Sequence, residues 1–161
     1  MLGMGACLGA CLFGGAARAA DPPATADVLS KLHNANLTGI EAGKLAQDNG
    51  RSKATKDYGK MLVTDATSAD QQVMALAKEE MLDVSAGTPV VGSNSVAALT
   101  AGWTFDRRFA RTMVDDHKKQ VADVTAARDH TTDAKLKNLL TDVLPTLQKH
   151  ESMAETLEKA K

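Results

Sequence analysis

From Phe105 to Arg128 the chain reads FDRRFARTMVDDHKKQVADVTAAR, and at helical period it separates into two faces. Asp106, Phe109, Ala110, Met113, His117, Val121, Val124 and Ala127 share one face, while Arg107, Arg108, Arg111, Asp115, Lys118 and Asp129 share the other. A continuous apolar stripe opposite a dense charged one demands a long amphipathic helix packed on partners. This pattern constrains the fold more than any other, because it recurs three more times.

A first helix from about Asp27 to Gln47 carries Leu29, His33, Leu37 and Ile40 at helical spacing, and Asp48-Asn49-Gly50 ends it, with the glycine suited to a left-handed position. A second, from about Ser52 to Asp83, aligns Tyr58, Leu62, Ala66, Ala69, Val73, Leu76 and Ala77. The central stretch is the third and closes near His130-Thr131-Thr132. The fourth runs from about Asp133 to Ala160, with Leu136, Leu139, Leu140, Val143, Leu147, His150, Ala154 and Leu157 on one stripe, and Pro145 should kink it. Between the second and third helices, residues 84–104 are rich in Gly, Ser and Thr and form a long crossover, with room for a short helical turn around Ser95 to Leu99. An aromatic content of only 3% favours close-packed helices over a sheet. These features predict an all-α, up-down-up-down four-helix bundle over residues 27–160.

Residues 1–20 are an apolar, small-residue run ending in Ala-Arg-Ala-Ala, the pattern of a secretory signal, and 21–26 are a linker. The run is too short and too rich in glycine to make a good membrane span. Leu8-Gly9-Ala10-Cys11 resembles a lipoprotein box, but cleavage near Ala20 fits the run better. Cleavage there removes both cysteines, Cys7 and Cys11, and with them disulfides, thiolate metal ligands and a cysteine nucleophile. No glycine-rich phosphate loop or nucleophile elbow is present, which favours a non-catalytic protein. A net charge of −1 argues against a nucleic-acid partner. That leaves an envelope protein or a second copy of the chain as partner.

The central stretch also repeats an earlier one. Tyr58 to Ala66 overlays Phe109 to His117 without a gap, with Asp65 on Asp116 and Ala66 where His117 stands. This suggests a helix-hairpin duplication and a pseudo-symmetric bundle.

The segments IEAGKLAQ (Ile40 to Gln47), FDRRFARTMVDDH (Phe105 to His117) and LKNLLTDVLPTLQKH (Leu136 to His150) together resemble a family of exported bacterial proteins. That family is ferritin-like in fold, is labelled outer-membrane or periplasmic, and is catalogued as a domain of unknown function. The resemblance implies a fold and an envelope location, periplasmic or outer-membrane-associated, but no established activity. In its pattern an Asp-His pair sits on both the second and third helices, so Ala66 departs from it. Glu41 and His150 match its first-helix glutamate and fourth-helix histidine.

Asp65, Asp116, His117, His150 and Glu41 are therefore the candidate polar layer. In an up-down-up-down bundle the Asn49-Gly50 and Thr131 turns share an end, which sets Asp65 and Asp116 at equal depth, with His117, His33 and His150 within a few residues of them and Glu41 nearer the turn by roughly one and a half helical turns. The preferred reading is a structural Asp–His network in an exported, envelope- or stress-associated bundle without catalysis, because buried polar groups need partners. The alternative is a metal site for zinc, iron or manganese, which imidazole and carboxylate suit. Against it, the Glu-x-x-His spacing of di-iron bundles is missing. His33 and His130 read as ordinary surface or packing residues. Met61, Met74, Met81, Met113 and Met153 read as core filler rather than a copper site.

Overall fold

The computed structural model describes residues 24–84, 102 and 104–160. Within them lie four helices and no strand: α1 (Thr25–Asn49), α2 (Lys53–Glu79), α3 (Phe105–His130) and α4 (Ala134–Lys159). The signal, the linker up to Pro23, the proposed turn at Ser95 to Leu99 and Trp103 fall outside the described residues.

At the starts of α2 and α4 a side chain satisfies free amides. Ser52 Oγ accepts from the Thr55 amide at 3.1 Å, and Asp133 Oδ1 accepts from Lys135 and Leu136 at 2.9 and 3.1 Å. The helix α2 stops at Glu79, short of the end expected near Asp83. Leu82 N donates to Ala77 O and Met81 N to Lys78 O, which is a Schellman closure with Met81 in the left-handed position at φ 53°. Gly50, expected in that conformation, is instead extended, at φ −60° and ψ 135°. Its lack of a side chain matters for space, since a Cβ there would lie 2.3 Å from Ala46 O. Pro145 stands on the exposed side of α4, which remains one helix from Ala134 to Lys159.

The contacts between helix ends set the helix directions. Asp106, in the first turn of α3, accepts from the amides of Arg51 and Ser52, both at 2.8 Å, so α3 begins at the α1–α2 turn. At the opposite end, Thr25 Oγ1 donates to Asp133 at 2.9 Å, and Lys135 pairs with Glu79 and Glu80. The order is therefore up-down-down-up, which corrects the up-down-up-down expectation. The chain between α2 and α3 has to pass from one end of the bundle to the other, a distance of about 40 Å for helices of this length. A dozen extended residues can cover that, so the length of the connection is compatible with either order.

Hydrophobic residues form two separate clusters. Near the α1–α2 turn, Ala42, Ala46, Tyr58, Leu62, Phe105, Phe109, Met113, Val114 and Ala154 pack together, with Phe105 stacked on Phe109 and Tyr58 edge-on to Phe109. At the other end, Val28, Leu29, Val73, Leu76, Ala77, Val124 and the leucines 136, 139, 140 and 144 form the second. The helices α1 and α2 pack closely along their length, as do α3 and α4, whereas α1 and α3 touch little. Of the methionines expected in the core, Met113 is buried and Met61 half-buried, but Met74, Met81 and Met153 are exposed, Met81 at 92%.

Candidate functional site

Between the two clusters each of three helices supplies polar side chains where its apolar stripe is interrupted: Asp65 on α2, Asp116 and His117 on α3, His150 on α4. All four line one cavity of about 1150 Å³, to which all four helices contribute. They meet even though the helix directions differ from expectation. Asp65, Asp116 and His117 stand near the midpoints of their helices, where reversing direction moves a residue least. Glu41, by contrast, is exposed on α1 and does not line the cavity.

His150 is buried, and its Nε2 lies 2.9 Å from Asp65 Oδ2. The Tyr58 hydroxyl donates to the His150 backbone carbonyl at 3.1 Å, tying α2 to α4 at the same level. Burial lowers the His150 pKa below the usual histidine range, and Lys149 adds to this against the opposing pull of Asp65. His117, also buried, uses Nδ1 to donate to the Met113 carbonyl one turn back, at 2.8 Å. That bond assigns the proton to Nδ1 and the lone pair to Nε2. Burial lowers the His117 pKa to about 4, with a smaller push in the same direction from His150. Both rings are thus neutral near pH 7. They meet edge to face with centroids 5.3 Å apart.

The half-buried Asp116 makes no hydrogen bond or ion pair among the described residues. Burial raises its carboxyl pKa, and Asp115 beside it raises it further. The Tyr58 hydroxyl is raised well above its ordinary value by burial and then by Asp116. The internal repeat explains the asymmetry. Tyr58 to Ala66 lies on α2 and Phe109 to His117 on α3, and these two helices run in the same direction. The overlay therefore pairs two parallel helices. Asp65 has His150 opposite it, whereas its counterpart Asp116 lines the cavity with no such partner among the described residues.

His33, read from the sequence as a surface or packing residue, has a specific partner, and Asn34 escaped the reading. His33 is buried with Nδ1 2.6 Å from Asp70 Oδ1, forming a second Asp–His pair between α1 and α2, apart from the cavity. The signal for it was the hairpin itself, since folding the chain about the Gly50 turn brings position 33 opposite position 70. Asn34 borders the cavity, but its Oδ1 is buried away from it with no partner among the described residues, and nothing in its local sequence marks it. Among the described residues no group of three or more His, Cys, Asp or Glu side chains is placed to hold a metal ion together. What the site offers is two neutral imidazoles, one backed by a carboxylate, beside an unpaired carboxylate.

A family described as "Domain of unknown function (DUF4142)" matches residues 13–157. No curated protein matches the chain. A solved structure described as "CopM in the Cu(II)-bound form" has the same helical fold, with a TM-score of 0.72 over 84% of this chain and 95% of that one, at 14% identity. No described helix is long and apolar enough to cross a membrane.

Proposed function

The chain belongs to the DUF4142 family of domains of unknown function, and from that premise we propose that it is an exported, non-catalytic bundle that binds a transition-metal ion at His117 and His150. The observation that carries this reading is the tautomer of His117. With Nδ1 held by the Met113 carbonyl, Nε2 keeps a lone pair with no donor on it among the described residues, in a ring whose centroid is 5.3 Å from that of His150. If His150 donates from Nε2 to Asp65, its own Nδ1 is likewise a ligand atom. A carboxylate behind a histidine is the common way to orient a metal ligand and raise its basicity. Asp116 stands ready as an oxygen donor, and Asp65 serves from behind rather than on the ion. Glu41 plays no part in the site.

Two imidazoles suit zinc, iron or manganese less selectively than copper, which nitrogen donors bind most tightly among the divalent ions. The likeness to a protein solved with Cu(II) bound makes that ion the first to try. Equilibrium dialysis of Cu(II), Zn(II), Fe(II) and Mn(II) against untagged protein tests the proposal. One equivalent of Cu(II) is expected to bind, with Asp65→Asn weakening it by about 10–100-fold and His117→Leu abolishing it. Ala66 also lines the cavity, so Ala66→His is expected to add a donor and tighten binding.

A structural reading also has its own observation, because each of these two imidazoles already makes a hydrogen bond and no three-donor group is assembled among the described residues. In that case the Asp65–His150 bond fixes how the two hairpins dock. Equal binding by wild type, Asp65→Asn and His117→Leu would leave this reading standing and remove the metal.

Export rests on the apolar run of residues 1–20. A mature chain starting near Asp21 is expected in envelope fractions by intact mass, and a retained Met1 in the cytoplasm would refute it.

A further inference from the structure

We infer that the end of the bundle carrying the α1–α2 turn is an electrostatic docking surface for an anionic lipid membrane. Within two helical turns of that end, Lys44 on α1, Arg51 in the turn, Lys53 and Lys56 on α2, and Arg107, Arg108 and Arg111 on α3 are all exposed. Most acids at the same end are committed. Asp106 turns its carboxylate onto the amides of Arg51 and Ser52, both at 2.8 Å, Asp57 pairs with Lys53, and Glu155 pairs with Lys118 and Lys159. Asp48 and Glu158 remain, against Lys44, Lys56, Arg107 and Arg111, which make no ion pair among the described residues. Elsewhere the balance reverses. At the opposite end and between the ends, Asp and Glu outnumber Lys and Arg among the described residues. A chain of net charge −1 thus gathers its surplus cations at one end.

The shape of this surface selects the partner. Helices α2 and α3 both begin at this end and occupy opposite corners of the bundle, because the close packing runs α1–α2, α2–α4 and α4–α3. Their cations are therefore spread across the diagonal of the end, roughly 11–14 Å between axes for neighbouring helices 8–10 Å apart. None of these cations lines the cavity, and spread over a convex end they match a plane of charge better than a single bound anion. The export proposed above would bring the domain beside such a plane. Phe105 and Phe109, at the same end, are fully buried and offer no aromatic ring for insertion, so the attraction is electrostatic. Two helical turns span about 11 Å, close to the screening length of about 10 Å at moderate salt. Each Lys or Arg within that reach of an anionic leaflet strengthens binding about fivefold.

The test uses the chain from Asp21, which keeps every described helix and lacks the apolar run. It is sedimented, with a chelator present, against vesicles of phosphatidylcholine alone and of phosphatidylcholine mixed equally with phosphatidylglycerol. Binding is expected to the mixed vesicles only, and to be lost at an ionic strength of about 1 M, where the screening length is about 3 Å. Lys56→Gln combined with Arg107→Gln is expected to weaken it about tenfold or more. Lys78→Gln combined with Lys137→Gln makes the same charge change at the opposite end and is expected to leave it within about twofold, because those positions lie several screening lengths away. Circular dichroism checks that both double variants are folded. Equal sedimentation with the two vesicle types, no binding to the mixed vesicles, or equal loss in the two double variants would each overturn the inference. Retention on immobilised heparin without vesicle binding would overturn it too, in favour of a soluble polyanion. Lys56 and Arg107 lie outside the cavity, so Cu(II) binding by their double variant is expected to match wild type, and the docking surface and the metal site stand or fall separately.

Discussion

Acidification from pH 7 to pH 4 is expected to cost the metal-free bundle about 3 kcal/mol through His117 alone. The ring is neutral in the fold, where burial lowers its pKa from 6.5 to about 4. In the unfolded chain it takes up a proton near pH 6.5. Between those values the unfolded state binds more protons, so stability rises with pH there. The contribution is complete above pH 6.5 and is lost as pH falls toward 4. Each unit of separation corresponds to about 1.4 kcal/mol, which gives the figure above as an order of magnitude. His150 is shifted in the same direction and adds to the loss. Asp116 opposes it, because a carboxyl with a raised pKa is more easily protonated in the fold than out of it. A loss of this size is a large part of the roughly 5–15 kcal/mol that holds a domain together. Urea unfolding at a series of pH values checks it. His117→Leu is expected to flatten the profile between pH 6.5 and 4, and a wild-type profile already flat there would contradict the neutral buried ring.

The second large effect is expected at the crossing of α1 and α2. Gly43→Ala should destabilise the protein by about 2–3 kcal/mol, in the range for overpacking a closed core. A Cβ on Gly43 would stand 2.5 Å from Gly59 O and 3.1 Å from Val63 N. One on Gly59 would stand 2.6 Å from Gly43 O and 2.7 Å from Ala46 Cβ. These neighbours are mostly backbone and cannot rotate aside, so the helices must separate. Against this, alanine gains about 1 kcal/mol of helix propensity over glycine, and the collision outweighs it. Gly39→Ala provides the control, since its Cβ would meet only Ala66 Cβ at 3.4 Å. Propensity should dominate there, and the protein should become more stable. Thermal unfolding is expected to show a fall of roughly 5–10 °C for Gly43→Ala or Gly59→Ala and a rise for Gly39→Ala. A rise for all three would mean that the helices do not cross on these glycines.

Those glycines also show where reading the chain alone reaches its limit. On α1 the sequence stripe runs through Leu37 and Ile40, yet both are only half-buried, and the helix packs through Ala42, Gly43 and Ala46. Close helix contact selects small residues, which a search for large apolar side chains passes over. On α2, α3 and α4 large residues mark the buried face, and there the stripes locate Tyr58, Leu62, Phe109, Met113, Leu136 and Leu140 correctly.

Four helices, their approximate ends and the burial of His117 and His150 were legible in the residues alone. Each is a local matter of side-chain period and capping, and a buried face is encoded whatever it packs against. Only the tertiary structure decided the rest: the direction of α3 and α4, the pairing of Asp65 with His150 and of His33 with Asp70, and the orphaned Asp116 and Asn34. A stripe with a period of 3.6 residues specifies which side of a helix turns inward, but it is the same pattern whichever way the helix runs and whichever neighbour it meets. Partners and cavities arise between helices, so they depend on directions and crossings that no single stripe records.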